Sequence, residues 1–251
     1  MRKEMNFRDA GGMKIKDGRH IKKGVFFRCG SISKMSEEEL MEMKEFGIRY
    51  ILDLRNTHEV KHHPDPDIEG MEQLPYSHCG TKEGKKVNFG FSATKHTSSE
   101  CLKHLAQIND YYCKMPYHNE MVKVLFDALL EKKVPVVIHC ASGKDRTGIC
   151  CMLVQKTLGA ADKDILDDYL QSNIAYQEAF EEETEKRKEE IEQIPEILPV
   201  IQMSKGVRKE IMESVLQELE QRYPDMETYL HEEYGYTREE IAKIQNWYVE
   251  K

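Results

Sequence analysis

The chain of 251 residues carries 37 Lys and Arg against 45 Asp and Glu, a formal net charge of −8, with 39% hydrophobic and 33% charged residues. A chain of this length can bury a sizeable core, and its acidic balance argues against broad binding to nucleic acid or anionic membranes. No apolar run approaches the roughly 20 residues that a membrane-spanning helix needs.

Residues 1–20 read as a polar, glycine-punctuated arm. Asn6-Phe7-Arg8-Asp9-Ala10-Gly11-Gly12 has neither helix nor strand period and predicts a turn with Arg8 and Asp9 paired at the surface. Residues 25–28 predict a short strand, which Cys29, Gly30 and Ser31 turn out of the sheet. Ser36 followed by Glu37, Glu38 and Glu39 marks a helix start, because a serine caps free amides and acids suit the positive dipole end. Leu40, Met43 and Phe46 supply its buried face and Gly47 ends it. Residues 48–52 then predict a strand ending at Asp53. A helix running straight into a strand implies an α/β sheet, in which ligands gather at strand C-terminal ends, so Asp53 is either a site residue or a capping acid.

His58, His62 and His63 precede Pro64-Asp65-Pro66, and no second ligand cluster accompanies them; they read as a solvated loop rather than a metal site. Residues 80–116 combine a basic, glycine-bearing stretch (Lys82, Lys85, Lys86, Lys95, His96) with a helix capped by Ser98 or Ser99 and carrying Leu102, Leu105, Ala106 and Ile108. Such an insertion reads equally as a lid or as a surface loop with a packing helix. Residues 119–133 predict an amphipathic helix through Met121, Val124, Leu125, Ala128 and Leu129.

The chemistry concentrates in residues 134–148. Val134, Val136, Val137 and Ile138 form an apolar run too short for a helix, which predicts a buried parallel strand. Ala141, Ser142 and Gly143 make a tight turn, and from Ile149 an apolar helix runs to Gly159. Backbone N–H groups of residues 141–146 can point into one concavity, where a helix N-terminus adds its unpaired donors. Arg146 offers a planar fork for two phosphate oxygens, and the same field favours a thiolate at Cys140. Thr147 is placed to donate its hydroxyl to that sulfur, which would face a bound phosphate for in-line attack.

The run His139-Cys140-Ala141-Ser142-Gly143-Lys144-Asp145-Arg146-Thr147-Gly148 resembles the signature of the cysteine-dependent phosphatases, and its Lys-Asp-Arg variant resembles their bacterial tyrosine, dual-specificity and lipid-type branch. The likeness extends to residues 6–12, 27–31, 52–55 and 168–173 and so covers most of the chain outside the middle. It implies an α/β fold with a mostly parallel sheet flanked by helices; with 80–116 as a candidate lid insertion and 160–251 as a helical C-terminal portion, the chain reads as one phosphatase domain, since no linker poor in apolar residues marks a boundary. It also sets residues 6–12 against the active-site region, with Arg8 and Asp9 in support. It further implies that Lys144 accompanies activity on phosphoinositides as well as phosphotyrosine; physically, a lysine there adds a second cation at the rim.

The expected activity is metal-independent, cofactor-free hydrolysis of a phosphomonoester through a cysteinyl-phosphate, on phosphotyrosine-type proteins or phosphoinositides. Cys140 is the nucleophile, Arg146 with the loop amides of Ala141, Ser142, Gly143 and Lys144 holds phosphate, and Asp145 ranks before Asp53 as the acid. A catalytically weak phosphate-binding module is the alternative. A thiol redox enzyme is disfavoured, because no Cys-x-x-Cys is present and Cys150 and Cys151 fall in an apolar helix. Seven cysteines without small-scaffold spacing predict thiols in a reducing cytoplasm, and the N-terminus shows no apolar core of a Sec-type signal; other export routes stay open. Beyond residue 159 the pattern is helical, at 165–170, 175–191, 208–222 and 238–248, with Pro195 and Pro199 marking a turn between helices.

Overall fold

Four consecutive buried residues, Val136, Val137, Ile138 and His139, form the central strand. The computed structural model describes residues 1–76 and 97–251. In chain order come β1 (Arg8–Asp9), β2 (His20–Ile21), β3 (Phe26–Cys29), α1 (Glu37–Glu45), β4 (Tyr50–Asp53), α2 (Thr57–His62) and β5 (Glu72–Gln73). Then follow α3 (Ser98–Lys114), α4 (Glu120–Leu130), the central strand β6 (Val136–His139), α5 (Arg146–Thr157) and α6 (Asp162–Ala175). The chain ends with α7 (Gln177–Lys186), α8 (Lys188–Gln193), α9 (Ile197–Lys205), α10 (Lys209–Arg222), α11 (Met226–Tyr234), α12 (Arg238–Trp247) and β7 (Val249–Glu250).

Among the described residues the main sheet has the order β1-β3-β6-β4-β5, parallel throughout except for β1, which is antiparallel on the β3 edge. The α/β fold with a mostly parallel sheet flanked by helices is therefore present. In β6 the side chains alternate: Val136 and Ile138 enter one core with α4 and α5, while Val137 enters the other with Met43 of α1. Both faces of the strand are thus dry, which is why it reads as an unbroken apolar run. Cys29 lies opposite His139 and so does Asp53, so β3 and β4 end level with the start of the loop at Cys140.

Ser36 and Glu39 form a capping box at α1, as the serine and acids suggested. Phe46 does not join the core: it is half exposed, its ring tilted against those of Phe7 and Phe27. The helix after the basic stretch starts one residue earlier than expected, capped by Thr97, and its buried face is Cys101, Ile108 and Tyr112, with Leu102 outward. Lys82, Lys85, Lys86, Lys95 and His96, the basic half of the expected lid, lie outside the described residues.

Pro199 does not mark a turn; it stands third in α9. A proline is tolerated in the first helical turn because the amide it lacks would have no intrahelical partner there. Residues 58–62, read as loop, belong to α2, whose start is fixed by an Asn56–Glu59 capping box. Among the described residues no helix is long and apolar enough to cross a membrane, and the six cysteines are free thiols.

Candidate active site

The loop from Cys140 to Arg146 leaves the C-terminal end of β6 and closes at the first residue of α5. Gly143 has a positive φ of 65°, and a Cβ there would stand 2.2 Å from the Cys29 carbonyl oxygen. Only glycine allows the turn to pass so close to β3. In this conformation the Gly143 amide donates to Cys140 Sγ at 3.2 Å. The N–H groups of Ala141 and Ser142 meet no acceptor among the described residues, which leaves them available to an anion.

The carbonyl of Gly143 is turned the opposite way and takes two donors, Arg28 Nη2 at 2.8 Å and Asn6 Nδ2 at 3.0 Å. Arg28 is fully buried and also bonds Asp168 Oδ2 at 2.7 Å, while Arg8 bonds Asp168 Oδ1 at 2.7 Å. Burial alone would raise the Asp168 carboxyl, but the two guanidinium groups outweigh it and hold the carboxyl below its ordinary range. The N-terminal arm thus does lie against the loop, but Arg8 pairs with Asp168 and not with Asp9 at the surface. Asp9 instead accepts the amides of Gly11 and Gly24.

Arg146 is fixed by α2. Its Nη1 donates to Glu59 Oε2 at 2.7 Å and to the Leu54 carbonyl at 3.0 Å, and its Nη2 to Glu59 Oε1 at 2.9 Å. Burial opposes the charge of Arg146, yet the Glu59 bond and the neighbouring Cys140 and Glu59 charges prevail and hold it above its ordinary range. Nε and the second hydrogen of Nη2 make no bond among the described residues. Those two hydrogens lie side by side and form the fork that a phosphate can accept.

Asp145 is reached from α3. Tyr112 Oη donates to its Oδ1, and Lys144 Nζ lies 3.1 Å from the same oxygen. Lys144 does not stand at the rim as a second free cation. It is buried, and its Nζ donates at 2.7 Å to the Met203 carbonyl in the last turn of α9. A helix C-terminus carries unpaired carbonyls and negative dipole, and draws the cation inward.

Asp53 is not presented to the loop as a free acid either. Both its oxygens bond Arg55, at 2.7 to 3.0 Å, and despite the opposing effect of burial these bonds hold the carboxyl below its ordinary range. Asp53, Asp65 and His139 offer ligand atoms within 4.8 Å of one another. The Arg55 guanidinium, however, lies 2.7 Å from Asp53 and 2.8 Å from Asp65, and His139 Nε2 approaches Asp65 Oδ2 at 2.9 Å without hydrogen-bond geometry. The guanidinium offsets one of the two carboxylate charges and occupies an oxygen of each, so a metal ion would have to compete with it. Thr147 Oγ1 is buried and has no hydrogen-bond partner, so the expected donation to the sulfur is not made.

Two tyrosines neighbour the loop. Tyr176 donates to the Ser142 carbonyl at 2.6 Å, and Tyr111, raised by burial, feels the charges of Arg146, Asp145 and Cys140. Cys140 itself is only 1% exposed. Sequence reasoning missed Asn6, Arg28, Glu59, Tyr112 and Tyr176. Asn6 and Arg28 lie in stretches that share the family likeness, and Glu59 carried a local signal as the third residue of a helix opened by Asn56; Tyr112 and Tyr176 carried none.

A parallel strand ending at His139, a glycine-bearing loop that begins at Cys140 and an arginine at the start of a helix together build a loop suited to an anion. The family model for the tyrosine phosphatase family matches residues 1–250, and the chain belongs to that family. It is similar to the triple specificity protein phosphatase PtpB of Mycobacterium tuberculosis, with 25% identity over 253 residues that cover 90% of each chain. A protein of Cupriavidus necator with a provisional tyrosine-protein phosphatase name is 26% identical over 168 residues, 67% of this chain and 60% of that protein.

Proposed function

We propose that the protein hydrolyses phosphomonoesters, without a metal, through a cysteinyl-phosphate on Cys140, and that it acts on phosphotyrosine-type proteins and on phosphoinositides. One observation carries the reading: the Cys140 sulfur accepts the Gly143 amide in a loop that ends in an arginine with an unoccupied fork. The name of the Mycobacterium tuberculosis relative, a triple specificity phosphatase, supports the breadth of substrate.

In the first step Cys140 Sγ bonds to phosphorus as the ester P–O bond breaks. The amides of Ala141, Ser142 and Lys144 and the fork of Arg146 hold the equatorial oxygens, where negative charge is shared, while the Gly143 amide stays on the sulfur. The leaving oxygen takes a proton from Asp145; Asp53, committed to Arg55, is the weaker candidate. Water then attacks phosphorus, Asp145 takes its proton, and the S–P bond breaks to release phosphate and restore the thiolate. Lys144 acts through Asp145 and α9 rather than on the substrate's rim. Thr147, buried behind the loop, packs at the base of α5.

We read the chain as one domain, with 160–251 its helical portion, because a single core cluster draws residues from Ala10 to Val249.

The test is hydrolysis of p-nitrophenyl phosphate, a phosphotyrosine peptide and a phosphoinositide, in chelator, by the wild type and by Cys140→Ser. The wild type is expected to turn over all three and to trap phosphate on protein during turnover, with Cys140→Ser inactive. Activity that survives Cys140→Ser, or that vanishes in chelator, would overturn the mechanism; phosphate binding without turnover by the wild type would make the protein a binding module.

A further inference from the structure

Asp145 is held by one oxygen only. Tyr112 Oη, in the last turns of α3, and Lys144 Nζ both donate to Oδ1, while Oδ2 takes no hydrogen bond among the described residues. The Asp145 side chain is 14% exposed. Tyr112 itself is fully buried. Tyr169 Oη on α6 donates weakly to Tyr112 Oη at 3.5 Å, which leaves the Tyr112 proton to point at Asp145. Burial, with the adjoining Asp145 charge, raises the phenol well above its ordinary value, so that it stays a donor.

We infer that Tyr112 is a positioning residue for proton delivery: with Lys144 it occupies Oδ1 of Asp145 and confines the transferable proton to Oδ2. The inference rests on the reading of Asp145 as the acid. An oxygen already accepting two donors is a poor place for a third proton, so the protonated acid carries it on the other oxygen. When the ester P–O bond breaks, the electron pair on the leaving oxygen takes the proton from Oδ2. The carboxylate that remains keeps its two donors on Oδ1. In the second step the same oxygen receives the proton of the attacking water. Without the phenol, the carboxyl turns about its Cβ–Cγ bond and the proton is no longer fixed toward the substrate.

The experiment is a leaving-group comparison on the full chain with Tyr112→Phe, Asp145→Asn and the double variant. p-Nitrophenyl phosphate has a leaving group that needs little proton assistance; phenyl phosphate needs it. Tyr112→Phe is expected to lower kcat/KM on phenyl phosphate by about ten-fold, the order that a charge-assisted hydrogen bond contributes. On p-nitrophenyl phosphate it is expected to change by less than about two-fold. The double variant should match Asp145→Asn, because the two residues act through one proton. Equal losses on both substrates, or losses that multiply in the double variant, would reduce Tyr112 to a structural role and overturn the inference. If Asp145→Asn itself shows no leaving-group dependence, the acid assignment fails first, and that result is distinct. Should Tyr112→Phe not fold, Tyr169→Phe removes the bond that orients the phenol, and its expected signature is the same leaving-group dependence at smaller size.

Discussion

Glu59 grips Arg146 by the end of its guanidinium, with both carboxylate oxygens on both terminal nitrogens at 2.7 and 2.9 Å, and leaves the side fork of Nε and Nη2 open. The acid thus orients the arginine without competing for the phosphate. It also remains ionised: burial works against it, but the Arg146 bond holds it below its ordinary range.

Removing that grip is expected to weaken phosphate binding. Glu59→Ala should lower kcat/KM on p-nitrophenyl phosphate and weaken inhibition by orthovanadate, each by about ten-fold, since a hydrogen bond to a charged group contributes about 1.5–3 kcal/mol. Steady-state kinetics with vanadate titration checks this; unchanged vanadate affinity would show that Arg146 holds its pose unaided.

Asp168 is the counter-charge of two arginines, one of them fully buried. Asp168→Asn strands the Arg28 cation and is expected to destabilise the fold by about 3 kcal/mol or more, the usual cost of breaking a buried pair from one side. Urea unfolding measures it. A midpoint equal to the wild type would mean that Arg28 finds another partner.

Gly143→Ala should be damaging twice over. The residue is at φ 65°, and its new methyl would meet the Cys29 backbone. The left-handed backbone alone costs about 1–2 kcal/mol for a residue with a Cβ, and relief of the clash would move the amide away from Cys140. Expected are a lower melting temperature and loss of most activity; a variant that melts and turns over like the wild type would contradict the close approach of loop and strand.

Glu39 gives a pH dependence. It takes the Arg2 side chain and the amides of Arg2 and Ser36, and its carboxyl drops from 4.5 to about 2, with the Arg2 bond as the largest cause. A depressed carboxyl stabilises the fold fully above its unfolded value and loses that contribution as pH falls through the folded value. The wild type should therefore exceed Glu39→Gln in stability at about pH 5, and the gap should close as pH approaches about 2. A gap independent of pH, in urea midpoints across that range, would assign the effect to packing instead.

What could be read in advance was whatever the chain holds contiguously. The strand, loop and helix at 134–158 are a single run, and a β-branched stretch followed by a glycine turn has few other structures. The parallel sheet followed in the same way from helices running into apolar strands. Short helices were harder: α11 buries only Tyr229 and Leu230, too little to produce a periodic signal, and Pro199 masked a helix whose first turn tolerates it.

The sequence alone was enough for the fold class and for singling out Cys140, Asp145 and Arg146 as candidates, because local propensity, spacing and the family resemblance all lie in contiguous stretches. Tertiary structure alone decided what each of them touches. Glu59 lies 87 positions from Arg146, Tyr112 33 from Asp145 and Arg28 115 from Gly143, and a charge meets its partner only where the packed core brings their elements together. Lys144 shows the difference most plainly: by sequence a charge free to meet solvent, it was drawn inside by the carbonyl end of a helix 59 residues away.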